Sequence, residues 1–439
     1  MSIRASIAIG VLCALTLAAE EATEADSPDI GWDSAPRRLT SATPDWWKLG
    51  VEIRGRLDTS TGIERIGRDT YYLHRLRLNS SITWRPWLKL FVQVQDARAA
   101  DYDRRPVPAT MQDPFDLRQA FAEFGKGEEN RWTLRLGRQP LVFGDARLVS
   151  TSNWGNVGPT YDAARLTRST NRSRLDLFSS LVVMPRDGFN KPRADRKLSG
   201  VYGNRQLPRM GLTVDVYTFW KSNLRSVDEG FHPGHLDVLT SGMRAAGKLP
   251  SGFDYNVEAA VQRGHVAADR LSAWTGHCEI GKRLRGTQQG PRVWLEHNYA
   301  TGDRNLGDGR RQAFEQLYPT PWSVVGRAVD FASRNLHEPV MGMEWQLNRR
   351  WKFRGTARAF WVADTHDALY TLSGAVYARR VGAASSRAGE EAGAWAIYQL
   401  TRRVQLWAGY ARLFSGPFLK EAGRGNQVHY PFAVWSYTL

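Results

Sequence analysis

The sequence predicts an all-β fold, a transmembrane antiparallel β-barrel of about 18 strands. Three observations lead there. An export signal is followed by no membrane helix, long segments alternate apolar and polar residues with period two, and the connections between them alternate short and long.

Residues 1–19 read as a signal peptide. Arg4 supplies the positive start, Ile7 to Ala19 the apolar run, and Ala18 and Ala19 a small-residue cleavage point. Glu20 and Glu21 follow at once, which argues against a buried helix. Leu12 precedes Cys13 where a lipoprotein signal needs a small residue, so lipidation is not expected. No later segment approaches the roughly 20 apolar residues of a membrane helix. Beyond the signal only Cys278 remains, which excludes an intramolecular disulfide. Residues 20–45 are polar and read as a flexible periplasmic lead-in. The predicted barrel then spans 46–439. A soluble periplasmic protein, a secreted protein and a membrane barrel all fit these facts.

Composition favours the barrel. There are 17 Trp, 15 Tyr and 17 Phe, yet the mean hydropathy is −0.45. Abundant aromatics without long apolar runs suit aromatic girdles around a polar interior. The net charge is +16, and 50 of the 60 basic residues are Arg against 10 Lys. Guanidinium binds carboxylates and phosphates in a two-pronged fork, so the excess points to an anionic partner. A GC-rich genome would also favour arginine codons.

Strand patterning begins at Trp46. Leu49, Val51, Ile53 and Leu57 alternate with Lys48, Glu52, Arg54 and Arg56. Leu76, Leu78 and Ile82 alternate with Arg75, Arg77, Asn79 and Ser81. Trp351, Phe353, Ala357 and Ala359 alternate with Lys352, Arg354, Thr356 and Arg358. Strands are predicted near 46–58, 70–84, 87–97, 115–125, 131–140, 160–169, 172–183, 197–206, 210–221, 235–249, 252–265, 270–285, 290–300, 334–349, 351–363, 391–401, 403–415 and 429–439. They are long, as tilted membrane strands must be.

Short connections fall at Arg85–Pro86, Lys126–Asn130, Thr170–Asn171, Leu207–Arg209, Pro250–Ser251, Gly286–Gly290, Arg350 and Arg402. Between them lie longer ones at 59–69, 98–114, 141–159, 184–196, 222–234, 301–333, 364–390 and 416–428, and only 266–269 breaks the pattern. Short periplasmic turns and long outer loops are the habit of outer-membrane barrels, and a soluble sandwich has no reason for it. The last strand alternates Trp435, Tyr437 and Leu439, as such barrels commonly end, although a terminal Phe is the usual preference.

An eighteen-strand barrel is wide enough for an aqueous lumen. Strand parity then places Arg54, Arg56, Arg75, Arg77, Arg174, Arg354 and Arg358 on the lumenal side, together with Glu52, Asp176, Glu258, Glu296 and Glu344. Such a wall either presents cations to a solute or stiffens itself with internal salt bridges.

Several stretches resemble the alginate export family of outer-membrane porins. They are Asp116-Leu-Arg-Gln-Ala-Phe-Ala-Glu-Phe124, Leu134-Arg-Leu-Gly-Arg-Gln139, Gly144-Asp-Ala-Arg-Leu148, Asn153-Trp154 and Tyr161-Asp-Ala-Ala-Arg-Leu166. Further on come Thr301-Gly-Asp-Arg-Asn305, Gly307-Asp-Gly309, Phe314-Glu-Gln-Leu-Tyr-Pro-Thr320 and Ser333-Arg-Asn-Leu336. The resemblance implies an eighteen-stranded barrel that passively exports an alginate-like anionic polysaccharide through an arginine-lined constriction, with loops that occlude the pore. It carries the lining role to Arg77, Arg118, Arg138, Arg147 and Arg165, with Asp145 as the acidic neighbour that orients them. Arg135 and Arg138 have opposite parity, and a bulge at Gly137 is the expected reconciliation. The chain departs from its relatives after Pro319-Thr320, where Pro-Trp-Ser-Val-Val-Gly326 replaces a region that often carries a His and a Tyr. The 364–390 loop is rich in Ala and Ser.

Catalytic signatures are missing. There is no Gly-x-Ser-x-Gly elbow and no phosphate-binding Gly-x-x-x-x-Gly-Lys loop. His232-Pro-Gly-His235 reads as a turn in an outer loop, not a metal site. Asp101 with Asp103, and Asp303 with Asp308, read as solvated carboxylates and not calcium ligands. No enzyme activity, cofactor or metal is expected. Nucleic acid is not an expected partner, because the strands carry lipid-type faces behind an export signal. Expected partners are outer-membrane lipid and lipopolysaccharide and an anionic saccharide, with a periplasmic export partner left open, for a barrel expected to be monomeric. The competing readings are a small-anion nutrient porin, a barrel enzyme such as a lipid hydrolase, and a structural or adhesive barrel.

Overall fold

The computed structural model describes residues 43–63, 67–104, 106–125, 131–186, 188–229, 231–284, 290–319 and 325–439. The expected signal peptide, nearly all of the lead-in, the 126–130 turn and most of the 319–326 departure lie outside the described residues.

Among the described residues, eighteen long strands close into one antiparallel barrel. The first nine are β1 Trp47–Ile63, β2 Gly67–Arg85, β3 Leu88–Ala100, β4 Asp113–Phe124, β5 Arg131–Gln139, β6 Thr160–Ser169, β7 Ser173–Val183, β8 Arg196–Leu207 and β9 Leu212–Val227. The second nine are β10 Pro233–Lys248, β11 Phe253–Val266, β12 Asp269–Arg283, β13 Arg292–Ala300, β14 Leu336–Gln346, β15 Trp351–Val362, β16 Arg387–Gln399, β17 Val404–Ser415 and β18 Val428–Thr438. β18 returns to β1, with Glu52 opposite Thr438 and Asp58 opposite Phe432. Leu439 completes the seam. Its N–H donates to the Val51 carbonyl at 2.9 Å, and its carbonyl accepts from the Val51 N–H at 3.1 Å.

The rows on the wall alternate as membrane physics requires. Leu78, Val92, Val216, Val261, Leu295 and Met341 are exposed, whereas their chain neighbours Arg77, Gln93, Tyr217, Gln262 and Glu296 are buried. Apolar side chains thus face outward to lipid and polar ones inward. Trp46, Trp84, Trp87, Trp132 and Trp351 mark the short-turn end, and Trp220 and Trp274 the opposite one.

Two predicted loops are mostly strand. Over 59–69, β1 and β2 stay paired through Thr59↔Thr70 and Ser60↔Asp69, and the two threonine hydroxyls lie 3.1 Å apart. Over 222–234, β9 runs on to Val227 and β10 begins at Pro233. Beyond the membrane both faces of a strand meet polar surroundings, so the apolar alternation ends before the ladder does. The short–long alternation is correspondingly weaker, because the β1–β2 and β9–β10 connections join β11–β12 as short outer turns.

The long outer connections fold back into the barrel. Leu141, Phe143 and Val149 of loop 140–159 pack on the inward row of Tyr161, Phe178, Tyr202, Tyr217 and Phe219. Val325, Val329 and Phe331 of loop 301–335 pack with Leu369 of loop 363–386. Phe360, Leu413 and the short helix α1 Pro417–Glu421, through Phe418 and Leu419, complete that cluster. Each fully buried side chain of this size contributes roughly 1.5–3 kcal/mol, which keeps an inserted loop from returning to solvent.

Two outcomes are expected. Gly55 on β1 faces the seam, where a Cβ would collide with the Trp435 indole and the Tyr72 hydroxyl. Gly55→Val should therefore reduce the folded, heat-modifiable species on gels, while Gly203→Ala, whose Cβ would meet only the Val216 carbonyl at 3.7 Å, should not. Phe143→Ala should weaken docking of loop 140–159 by roughly 3–5 kcal/mol, measured as faster hydrogen exchange across the loop.

Candidate functional site

Loop 140–159 crosses the lumen. Its route is fixed by arginines from opposite walls, since β1 and β10 are nine strands apart in a ring of eighteen. On one wall Arg54 donates to the carbonyls of Asn153 at 2.8 Å and Gly155 at 2.9 Å. Arg75 donates to the same two carbonyls at 3.3 and 3.2 Å. Arg56 bonds the Trp154 carbonyl and pairs with Asp58 at 2.9 Å. Arg77 reaches the Asn153 side-chain oxygen at 3.3 Å and Gln95 at 2.8 Å. Glu52 sits among these cations, bonded to Arg75 and Arg77. Arg118 holds the loop's foot through the Gly158 and Pro159 carbonyls, at 2.6 and 3.1 Å.

On the other wall the loop supplies the charges. Arg147 bonds Glu296 at 3.0 Å and Asn298 at 3.1 Å. Asn298 also donates to Glu338, which binds Arg358 of β15 at 2.7 Å, so Arg147 and Arg358 belong to one network. Asp145 accepts from Arg244 of β10 at 2.9 Å and from Asn256 of β11. Among the described residues its hydrogen bonds run to these two side chains and not to Arg147 or to the arginines of β1 and β2. Arg354 lies 3.8 Å from Glu344. Arg165 pairs with Asp176 at 2.9 Å and lies over the Phe143 ring. Arg174 meets the same Asp176 at 2.8 Å.

Arg138 is placed differently from the rest. Pairing of β5 with β6 runs unbroken from Arg131↔Ser169 to Gln139↔Tyr161, even though Gly137 has φ +119°. Register shifts lie instead between β3 and β4, and the one between Gln93 and Val94 leaves Arg118 as the extra residue. Arg138 therefore stays in the outward row of Leu134 and Leu136. There it pairs with Asp162 at 2.8 Å and is covered by the Asn190 carbonyl of loop 184–195.

Loop 301–335 supplies residues that the sequence reading missed. Glu315 accepts from Lys221 of β9 at 2.8 Å and lies 3.4 Å from Arg311 and 3.7 Å from Arg334. Burial alone would raise its pKa, but Lys221, Arg311 and Arg334 outweigh that and hold it at about 2. Farther on, the backbone N–H groups of Arg327 and Ala328 donate to Glu391 of β16. The Arg327 guanidinium stacks between Trp154 at 4.3 Å and Trp395 at 4.6 Å. The two loops join where Val149 bridges Tyr318, with the Ser150 N–H donating to the Tyr318 carbonyl at 2.6 Å. Strand parity does not reach loop residues such as Arg327, and the small residues around Arg244 blur the alternation there.

A closed eighteen-strand wall, a lipid-facing outer row and a lumen narrowed by folded-in loops define a bacterial outer-membrane channel of the porin class. The chain belongs to the alginate export family, whose model matches residues 45–433. Its fold is shared by Pseudomonas aeruginosa OccK9 (OpdG), with TM-score 0.64 and 11% identity over 90% of this chain and 98% of that one. A BenF-like porin from Pseudomonas fluorescens Pf-5 gives TM-score 0.62 at 10% identity, over 90% and 98% of the two chains. Pseudomonas aeruginosa OpdK, solved with vanillate, gives 0.61 at 11% identity, over 89% and 98%. No curated protein sequence matches the chain. The family and these neighbours are channels and porins.

Replacing Arg54 and Arg75 together by Ala should free loop 140–159, seen as larger and noisier single-channel conductance. A loss of ion selectivity at unchanged conductance would instead assign the pair to the lining. The Glu315 carboxyl titrates below its ordinary value of 4.5, so its anchorage is complete above about pH 4.5 and is lost as pH falls toward 2. Proteolysis of loop 301–335 should stay flat from neutral pH to about 5 and rise below about 4, while Glu315→Gln should loosen the loop at neutral pH by on the order of 3 kcal/mol.

Proposed function

We propose that this protein is a passive channel for an anionic saccharide of the polyuronate type. One observation carries the reading. Basic side chains from β1, β2, β4, β9 and β10 converge on two inward loops, in a chain of the alginate export family. Arg54 and Arg75 hold backbone carbonyls, so loop residues 153–155 occupy the forks that a carboxylate would take. A polyuronate exchanges with these carbonyls one at a time and meets several weak sites in series, as conduction requires. Arg77, Arg118, Arg147, Arg165, Arg354 and Arg358 serve as lining or as anchors of the occluding loops. Arg138 has the anchoring role alone. One chain closes the barrel by itself, which supports a monomeric working unit. Delivery of the polymer by a periplasmic partner is compatible with this unit.

The purified barrel in planar bilayers tests the reading. Anion-selective conductance should be blocked by polyuronate at low salt. The block should fade as the Debye length shrinks from about 10 Å at 0.1 M to about 3 Å at 1 M. Cation selectivity, or indifference to polyuronate at low salt, would refute it. OpdK with its bound vanillate motivates a second reading, a porin for small organic anions. Block by uronate monomer as strong as by polymer would favour that one.

A further inference from the structure

A groove of about 660 Å³ opens on the outer face of the barrel, where β11 and β12 meet loop 301–335. Arg263 of β11, Arg270 of β12, and Arg304 and Arg310 of the loop line it, and all four are exposed. Alternation along β12 fixes which side of the wall this is. Leu271 and Ala273 are buried inward, whereas Arg270, Ser272 and Trp274 point outward.

The outward surface below the groove is graded. Val257, Val261, Ile280 and Leu295 form its apolar part and are exposed. Above them Trp274 stacks on Tyr299, with ring centroids 4.6 Å apart, and these two rings are the floor of the groove. Tryptophan and tyrosine mark the boundary between acyl chains and headgroups. The arginines therefore stand at headgroup height in the leaflet on the long-loop side, which is the outer leaflet.

Four arginines face one acidic side chain of the groove, Asp364. The two-residue strand Arg310–Arg311 lies parallel to β12, pairing Arg270 with Arg310 and Leu271 with Arg311. The Arg270 N–H donates to the Gly309 carbonyl at 2.9 Å, which locks this register. Two arginines thus stand side by side on one face of the groove, where like charges repel unless an anion lies between them. Neither side chain has a hydrogen-bond or ion-pair partner among the described residues. Among the described residues Arg263 donates to the Gln262 carbonyl. Arg304 lies 3.5 Å from Asp364. Asp308 accepts the backbone N–H of Arg310, and Asp237 sits 3.8 Å from His265 on the neighbouring rim.

We infer that this groove binds the phosphorylated headgroup of an outer-leaflet glycolipid, the lipid A portion of lipopolysaccharide. Guanidinium forks match phosphate oxygens two at a time. The aromatic floor takes the apolar side of the sugar, and the acyl chains continue down the exposed Val and Ile rows. The site opens away from the lumen, which separates it from the cargo path and makes it independent of the proposed transport role.

Native mass spectrometry of the full barrel in nanodiscs tests this, with bisphosphorylated lipid A as the probe. Wild-type protein should retain it, and dephosphorylated lipid A should bind far less. The Arg270→Gln/Arg310→Gln double variant should bind at least about tenfold more weakly, with unchanged heat-modifiability and conductance. Arg98→Gln, at an exposed outer-wall arginine paired with Asp96, should behave as wild type. Should the double variant fold poorly, Arg270→Lys/Arg310→Lys keeps the charge but loses the fork and should still weaken binding. Equal retention by wild type and either double variant would overturn the inference. So would displacement of lipid A by millimolar inorganic phosphate, which marks a free-anion site, or by soluble polyuronate, which marks a cargo site.

Discussion

Hydrocarbon offers no water to a peptide group, so every N–H and C=O at membrane depth must find a partner in the chain. The rest of this structure depends on that constraint. A sheet in lipid has no tolerable edge, which is why β18 returns to β1 and the final residue still bonds across the seam. Closure then dictates two faces with opposite chemistry. It also leaves an interior wider than side chains alone fill, which in this chain is narrowed by material from the loops.

That material is held largely by charge. Buried charges are costly unless their hydrogen bonds are complete, and here acid and base share the inward face. Glu52 sits with Arg75 and Arg77, Asp176 with Arg165 and Arg174, and Glu338 with Arg358. Guanidinium suits this task better than ammonium, because one planar fork reaches several acceptors in fixed directions. Arg54 alone spans the carbonyls of three successive residues. The surplus of arginine over lysine therefore has a structural use as well as any role toward a solute.

The wall was legible in the sequence because its period of two is imposed by lipid on one side. Legibility ended where lipid ends. Thr59, Ser60 and Thr61 remain in β1 although nothing in their polarity announces it. The site was legible only in part, for the same reason. Parity found Arg54, Arg75, Arg77, Arg354 and Arg358, which stand on regular strands. The family resemblance set Arg138 in the lining, with a bulge expected at Gly137, whereas β5 keeps its register with β6 and the shift lies one strand away at Arg118. The resemblance set Asp145 beside the lining arginines, whereas its bonds run to Arg244 and Asn256, about a hundred residues distant in the chain. Arg327 and Glu315 act from a loop whose inward fold depends on tertiary packing with no local pattern.

Loop 140–159 is fastened to walls that face each other across the ring, and it meets loop 301–335 at Val149 and Tyr318. A thin cylinder of strands is stiff along its hydrogen bonds but easily flattened across its width. A segment fixed at both ends of a diameter acts as a tie rod against that deformation. Lateral pressure from the bilayer that ovalises the barrel must stretch or slacken the tie, and the shared bridge passes that strain to the second loop. Any flattening of the barrel would therefore be felt first at the two loops that narrow its passage.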